Sequence, residues 1–210
     1  MQDVLERLKE GVRKFRSEVY EGREEQYRTA ATTPQQPHTL IITCADSRID
    51  VETVTSCGPG ELFIARNIGN MVPPYGEMLG GVSAVIEYAV DVVKVKHAAI
   101  MGHTDCGAMK GLLNPESTKT LPTVVHWLQN GTTALRVAET IDEKRGIDLL
   151  PTVTEQNVLL QMQHLKTHPS VAAAMARGEL TVSGWIYDIG HGDVRIFDDA
   201  QNRFVPVNAE

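Results

Sequence analysis

The chain has no long hydrophobic run. No apolar stretch approaches the roughly 18 residues that a helix needs to cross a bilayer, so no membrane span and no membrane partner is expected. The first residues, Met1-Gln2-Asp3-Val4-Leu5-Glu6, carry charge early and lack the apolar stretch of a secretory signal. There is no excess of positive charge either. Lys and Arg number 20 against 27 Asp and Glu, a net charge of −7, which argues against a nucleic-acid partner. Cysteine is scarce. The three residues, Cys44, Cys57 and Cys106, cannot all pair with one another, which excludes a disulfide scaffold and favours a reducing, cytoplasmic setting. Internal repeats and low-complexity segments are absent. What remains is an ordinary globular composition, 210 residues with 42% hydrophobic and 22% charged, enough for a well-buried domain.

The hydrophobic pattern divides the chain. Val4, Leu8, Val12, Phe15 and Val19 recur at helical spacing, and Pro34 and Pro37 end that segment. Residues 1–35 therefore read as an N-terminal helical arm, and 36–210 as the domain that follows. The arm precedes the first strand and has no core partner of its own, which points to a second subunit. Runs at 39–43, 61–66, 97–102, 180–189 and 194–197 read as strands. Residues 78–95 and most of 120–177 read as helix, with breaks near Gly131, Gly146-Ile147-Asp148 and His168-Pro169. Strands alternating with helices predict an α/β fold, a mainly parallel central sheet flanked by helices.

Sites in such sheets form outside the carboxyl ends of the strands. Cys44 stands at the end of the first run, and His103 at the end of the third, followed by Cys106. Two sulfurs and an imidazole suit Zn²⁺, and three protein ligands leave a fourth tetrahedral position open, the pattern of a catalytic site. A closed structural site would want a fourth Cys or His, and Cys57 lies by a Gly-Pro-Gly turn. Zinc lowers the pKa of bound water, less strongly beside two thiolates than beside three neutral imidazoles. Asp46 is placed to accept a hydrogen bond from the resulting hydroxide, and Arg48 to grip Asp46 through its fork.

With these residues in view, the chain resembles the β-class carbonic anhydrases. The likeness spans roughly residues 35–190 and is carried by Cys44-Ala45-Asp46-Ser47-Arg48, Arg66-Asn67-Ile68-Gly69-Asn70, the stretch Gly81 to Val90, Gly102-His103-Thr104-Asp105-Cys106-Gly107 and Gly184-Trp185-Ile186-Tyr187-Asp188. The resemblance implies reversible hydration of CO₂ to bicarbonate and a proton by attack of zinc-bound hydroxide. It implies Cys44, His103 and Cys106 as zinc ligands, Asp46 and Arg48 as the catalytic dyad, and residues 36–210 as the catalytic domain. Gln35, Phe63 and Gly102 are implied to bind substrate. Some members carry a Trp three residues before the first Cys, with an Arg and a Tyr resembling Arg66 and Tyr187 around an inhibitory bicarbonate. Here that position is Ile41, and Gln35 stands where plant-like members have a Gln, so an open, plant-like site is expected. A homodimer or tetramer is implied as well, with the site at a subunit interface. Two other readings stay open: hydrolysis of COS or CS₂ on the same fold, and a non-catalytic zinc-binding sensor or assembly protein.

Overall fold

The computed structural model describes residues 3–145 and 148–207. The arm comes first. Helix α1 (Val4–Lys14) opens on Asp3, whose carboxylate accepts from the Leu5 amide, and it closes with Arg13 and Lys14 in its last turn. Both ends thus suit the helix dipole. It runs on through a wider turn, Phe15–Tyr20, and a tight turn, Glu21–Arg23, into α2 (Glu24–Thr32). No residue of α1 or α2 is buried. Val4, Leu8 and Val12 are 73%, 64% and 67% exposed, so the expected apolar stripe exists and covers nothing in its own chain.

The body follows as β1 (Thr39–Cys44), α3 (Val51–Thr55), β2 (Leu62–Asn67), α4 (Gly81–Glu87, prolonged by a wider turn to Val93), β3 (His97–His103), α5 (Gly107–Leu113), α6 (Pro122–Leu128), α7 (Thr132–Arg145), α8 (Leu149–Lys166), α9 (Pro169–Ala176), β4 (Thr181–Tyr187), β5 (Val194–Asp198) and β6 (Arg203–Pro206). Local chemistry sets the boundaries. Lys94 adopts a left-handed conformation and ends the α4 segment, Asp148 caps α8, and Pro169 opens α9 after His168. The breaks expected near Gly131 and His168-Pro169 are present. Of the third, Gly146 and Ile147 lie outside the described residues.

The sheet order is β2-β1-β3-β4-β5-β6. The first four strands are parallel, and β5 and β6 close the edge as an antiparallel hairpin. Strand β6 was not expected from the sequence. Its only buried residue is Phe204, so the apolar run that marks a strand is missing. Helices cover both faces. Leu40, Ile42, Ala98 and Ile100 pack against Ile86, Val158 and Leu165 on one face, while Ile41, Ala99 and Met101 pack against Met109, Leu112 and Ala138 on the other. Strand β1 is buried along its whole length, as befits a central parallel strand. Two glycines bring α8 close to the sheet. A β-carbon at Gly102 would lie 2.7 Å from Val158, and one at Gly184 would lie 2.6 Å from Met162.

Candidate metal centre

Strands β1 and β3 are neighbours, and their register pairs Thr43 with Met101. Their carboxyl ends therefore set Cys44 beside His103. The chain turns after His103 through Asp105, whose φ of 60° is left-handed, and this turn delivers Cys106 at the start of α5. The ligand atoms of Cys44, His103 and Cys106 lie within 4.8 Å of one another, and all three residues are buried. The three residues singled out by the sequence meet at one point.

Their protonation suits a cation. His103 Nδ1 sits 2.8 Å from the Thr104 carbonyl, which can only accept, so Nδ1 carries the proton. Nε2 then presents a bare lone pair, buried and without any hydrogen-bond partner. An orphaned imidazole nitrogen beside two sulfurs is costly in the protein alone and is relieved by a metal ion. The two sulfurs share a proton. Cys44 accepts from the Cys106 thiol and from the Gly69 amide, and these bonds hold its thiol well below the ordinary range. Cys106 is pushed up by donating that bond and by burial. A bound metal cation would take the place of that proton.

Asp46 and Arg48 form the expected dyad. The guanidinium grips the carboxylate with both arms, Nε to Oδ1 at 2.9 Å and Nη2 to Oδ2 at 2.7 Å, and the Arg48 amide adds a third bond at 3.0 Å. This fork holds the Asp46 carboxyl well below the usual carboxylate range. Both oxygens are thus engaged by Arg48, and Asp46 is not among the clustered metal-ligand atoms. Arg48 also reaches Asp105 at 2.9 Å, and Asp105 pairs in turn with Lys110. The turn bearing two ligands is thereby tied to the turn bearing the dyad.

The three expected substrate residues are scattered in a single chain. Gly102 lies next to His103, with its backbone against α8. Gln35 precedes β1 and lines a groove with Pro34, His38 and Gly60, at the end of the sheet opposite Cys44. A six-residue strand separates the two positions, roughly 20 Å. Phe63 pairs in register with Leu40, packs on the opposite face from Met101 and Cys106, and stacks on Tyr88 with ring centroids 6.0 Å apart. One chain does not bring Gln35 or Phe63 to the metal cluster.

Two residues take supporting roles that the sequence reading did not assign. Arg66 donates to the carbonyls of Cys44, Asp46 and Ile49 and so stitches down the loop after β1. Asp105 links the two turns. Arg66 opens a motif already noted, which the resemblance set beside an inhibitory bicarbonate rather than in this role. Beside the cluster, Ala45, Asn67, Ile68, Met78, Val124 and Trp127 line an apolar open cleft of about 480 Å³, and Ala45 and Asn67 flank Cys44 in the chain and in the sheet.

A family model for carbonic anhydrase matches residues 39–194, the body of the sheet and all three residues of the cluster. The chain belongs to the β-class carbonic anhydrase family. A carbonic anhydrase of Pseudomonas aeruginosa is 38% identical over 205 residues, 98% of this chain and 91% of its own length. The solved β-carbonic anhydrase CcaA superposes with a TM-score of 0.91 at 34% identity, covering 98% of this chain and 93% of its own. A tetrameric β-carbonic anhydrase from Sordaria macrospora, at 25% identity, superposes with a TM-score of 0.80 over 99% of this chain and 98% of its own. The protein is accordingly an enzyme of this class, whose general activity is CO₂ hydration, with a Cys44-His103-Cys106 cluster fit to hold a metal ion. No helix among the described residues is long and apolar enough to cross a membrane.

Proposed function

We propose that this carbonic anhydrase holds zinc through Cys44, His103 and Cys106 and converts CO₂ and water to bicarbonate and a proton. The observation that carries the reading is the buried, partnerless Nε2 of His103 facing two sulfurs. Two thiolates and one imidazole are a donor set that zinc favours. Bound zinc supplies Lewis acidity, lowering the pKa of a coordinated water toward neutrality. Asp46, held ionised and oriented by Arg48, accepts a hydrogen bond from the attacking oxygen and aims its lone pair. The apolar cleft beside Cys44 receives CO₂, which has no charge to satisfy. The engagement of both Asp46 oxygens by Arg48 supports an open site with a free fourth position. The ties of Arg66 to three carbonyls speak against an anion pocket there.

We further propose a homodimer or larger assembly in which residues 1–35 act as an arm on the partner and 36–210 as the catalytic domain. Gln35 and Phe63 then serve the partner's site, with Gly102 supplying backbone to substrate within the chain. The exposed stripe of α1, together with Ile68, Leu79 and Tyr88 exposed on the body, supports this arrangement. The nearness of two unpaired sulfurs, Cys44 and Cys106, supports a reducing compartment such as the cytoplasm.

The test is stopped-flow CO₂ hydration, run with and without a zinc chelator, beside a sulfide-release assay on COS and CS₂. Chelator-sensitive hydration without sulfide release is expected. Sulfide release with no hydration would reassign the substrate, and inactivity in both assays of zinc-loaded protein would leave a non-catalytic binding protein.

A further inference from the structure

We infer that Asn157 and Gln161, both on α8 and both absent from the ligand set, are positioning residues for the metal-binding sulfur of Cys44. The inference rests on the metal reading above.

Cys44 Sγ receives a backbone hydrogen bond from the Gly69 amide at 3.4 Å. That amide belongs to the short loop Asn67-Ile68-Gly69-Asn70-Met71, which side chains clamp from three directions. Asn67 bonds both the amide and the carbonyl of Met71, at 2.8 and 2.9 Å. Trp127 Nε1 donates to the Ile68 carbonyl at 2.8 Å. Asn157 Nδ2 donates to the Gly69 carbonyl at 3.0 Å. The orientation of Gln161 and Asn157 is fixed by elimination. Gln161 faces the Val72 amide at 2.8 Å, a donor, so it presents Oε1 there. Its Nε2 must then donate, to the Asn130 carbonyl at 3.0 Å and to Asn157 Oδ1 at 2.9 Å. Asn157 is left with its NH₂ toward Gly69. Both amides are almost fully buried, at 1% and 0% exposure, so no water can replace a lost partner cheaply.

The donors therefore all point one way, from the Val72 amide through Gln161 and Asn157 to the Gly69 carbonyl, and the amide of the same residue points to sulfur. Donation to the Gly69 carbonyl holds that residue's place in the loop, and its N–H stays aimed at Cys44. An N–H bond to a thiolate withdraws charge from sulfur and holds the side chain in its ligating direction. Outer-shell bonds of this kind are worth about tenfold to a hundredfold in metal affinity or activity.

The test uses Co²⁺ in place of the native metal, because its sulfur-to-metal charge-transfer band reports the charge on the thiolates. Asn157→Leu keeps the branched shape, though it is larger, and has no donor. Asn157→Ala is a smaller variant that also lacks a donor, should the leucine protein not fold. Thr154→Val, on the same helix and hydrogen-bonded only to the Leu150 carbonyl, controls for disturbance of α8. In the folded Asn157 variant the band should move to longer wavelength, and a chelator should strip Co²⁺ about tenfold faster, with Thr154→Val like wild type. A folded Asn157 variant with the wild-type band and release rate would overturn the positioning role. Wild-type protein that takes up no Co²⁺ with a sulfur charge-transfer band would instead overturn the metal reading itself.

Discussion

Replacing Gly69 with alanine should damage both the fold and the metal centre, by amounts the geometry sets. Gly69 adopts φ 76° and ψ 26°, a left-handed conformation that costs an L-residue about 1–2 kcal/mol. Its new β-carbon would lie 2.7 Å from the Ala108 β-carbon, well inside the roughly 3.5–4.0 Å at which two carbons attract. Ala108 cannot rotate away, since its β-carbon is fixed to the backbone of α5. Helix α5 or the loop must therefore move by several tenths of an ångström, an overpacking that costs about 1–3 kcal/mol. The two effects together predict about 2–5 kcal/mol, a drop in Tm of roughly 5–15 °C for a chain of this size. The assay is thermal unfolding by circular dichroism at fixed protein concentration, with and without chelator. The double variant Gly69→Ala/Ala108→Gly separates the two costs. It should recover the steric share, leaving the backbone share and about 1 kcal/mol for a glycine in a helix. A Gly69→Ala protein that melts within about 1 °C of wild type would refute both the left-handed assignment and the contact with α5.

Cys44→Ser should lose metal and hydration activity together, whereas Cys57→Ser should lose neither, since Cys57 stands apart from the cluster and only meets the Thr55 carbonyl at 3.7 Å; metal analysis beside stopped-flow turnover checks both. Asp46→Asn should keep the metal but lose about a hundredfold or more in kcat/KM, because the amide sets a donor against the Arg48 fork and forfeits the acceptor that orients the attacking oxygen; turnover near wild type would remove Asp46 from the mechanism. Burial pushes the His164 and His168 imidazoles below their ordinary value, so the folded chain binds these protons more weakly than the unfolded chain. Their contribution is full above about pH 6.5 and is lost as pH falls through that value, so His168→Gln should flatten the decline of urea-unfolding stability between about pH 6.5 and 5, and an unchanged slope would contradict it. A chain beginning at Thr32 should sediment as a smaller species than the full chain and lose activity, since the α1 stripe is worth about 25 cal/mol per Å² of apolar surface covered on a partner; a fully active full-length monomer would defeat this.

Much of this architecture could be read from residue order because period and position agree. The runs ending at Cys44 and His103 are buried on both faces of a parallel sheet, and such strands advertise themselves as unbroken apolar segments. The cluster was legible for a related reason: chemistry in α/β sheets collects at strand ends, so two cysteines and a histidine there are few enough to stand out. Arg66, Asp105 and Asn157 were harder to see. Their roles depend on backbone carbonyls and side chains up to 88 residues away, and no local pattern encodes a carbonyl's direction. Strand β6 escaped because an edge strand with one buried residue carries almost no periodic signal.

Gln35 and Phe63 pose a different problem, one of geometry rather than of signal. A parallel strand carries its amino and carboxyl termini to opposite ends of the sheet. Gln35 enters β1 and Cys44 leaves it, so within one chain no loop rearrangement short of unravelling the strand joins them. The same holds for Phe63, whose side chain shares a face with Tyr88 and α4 and not with Cys106. If these residues meet substrate, a second copy must bring them. Strand β2 is suited to such a contact, being an edge strand, half-buried, with Tyr88 exposed beside it. The arm, helical over two elements and buried nowhere, has the length and the apolar stripe to hold that second copy in place. A Gln35→Ala chain mixed with a Cys44→Ser chain decides the matter. Each homodimer should be weak or inactive. In a mixed dimer, the metal site built on the Gln35→Ala chain would draw an intact Gln35 from the Cys44→Ser chain, so activity should return on mixing. No recovery, with mixed dimers shown to form, would place Gln35 outside the site in every arrangement.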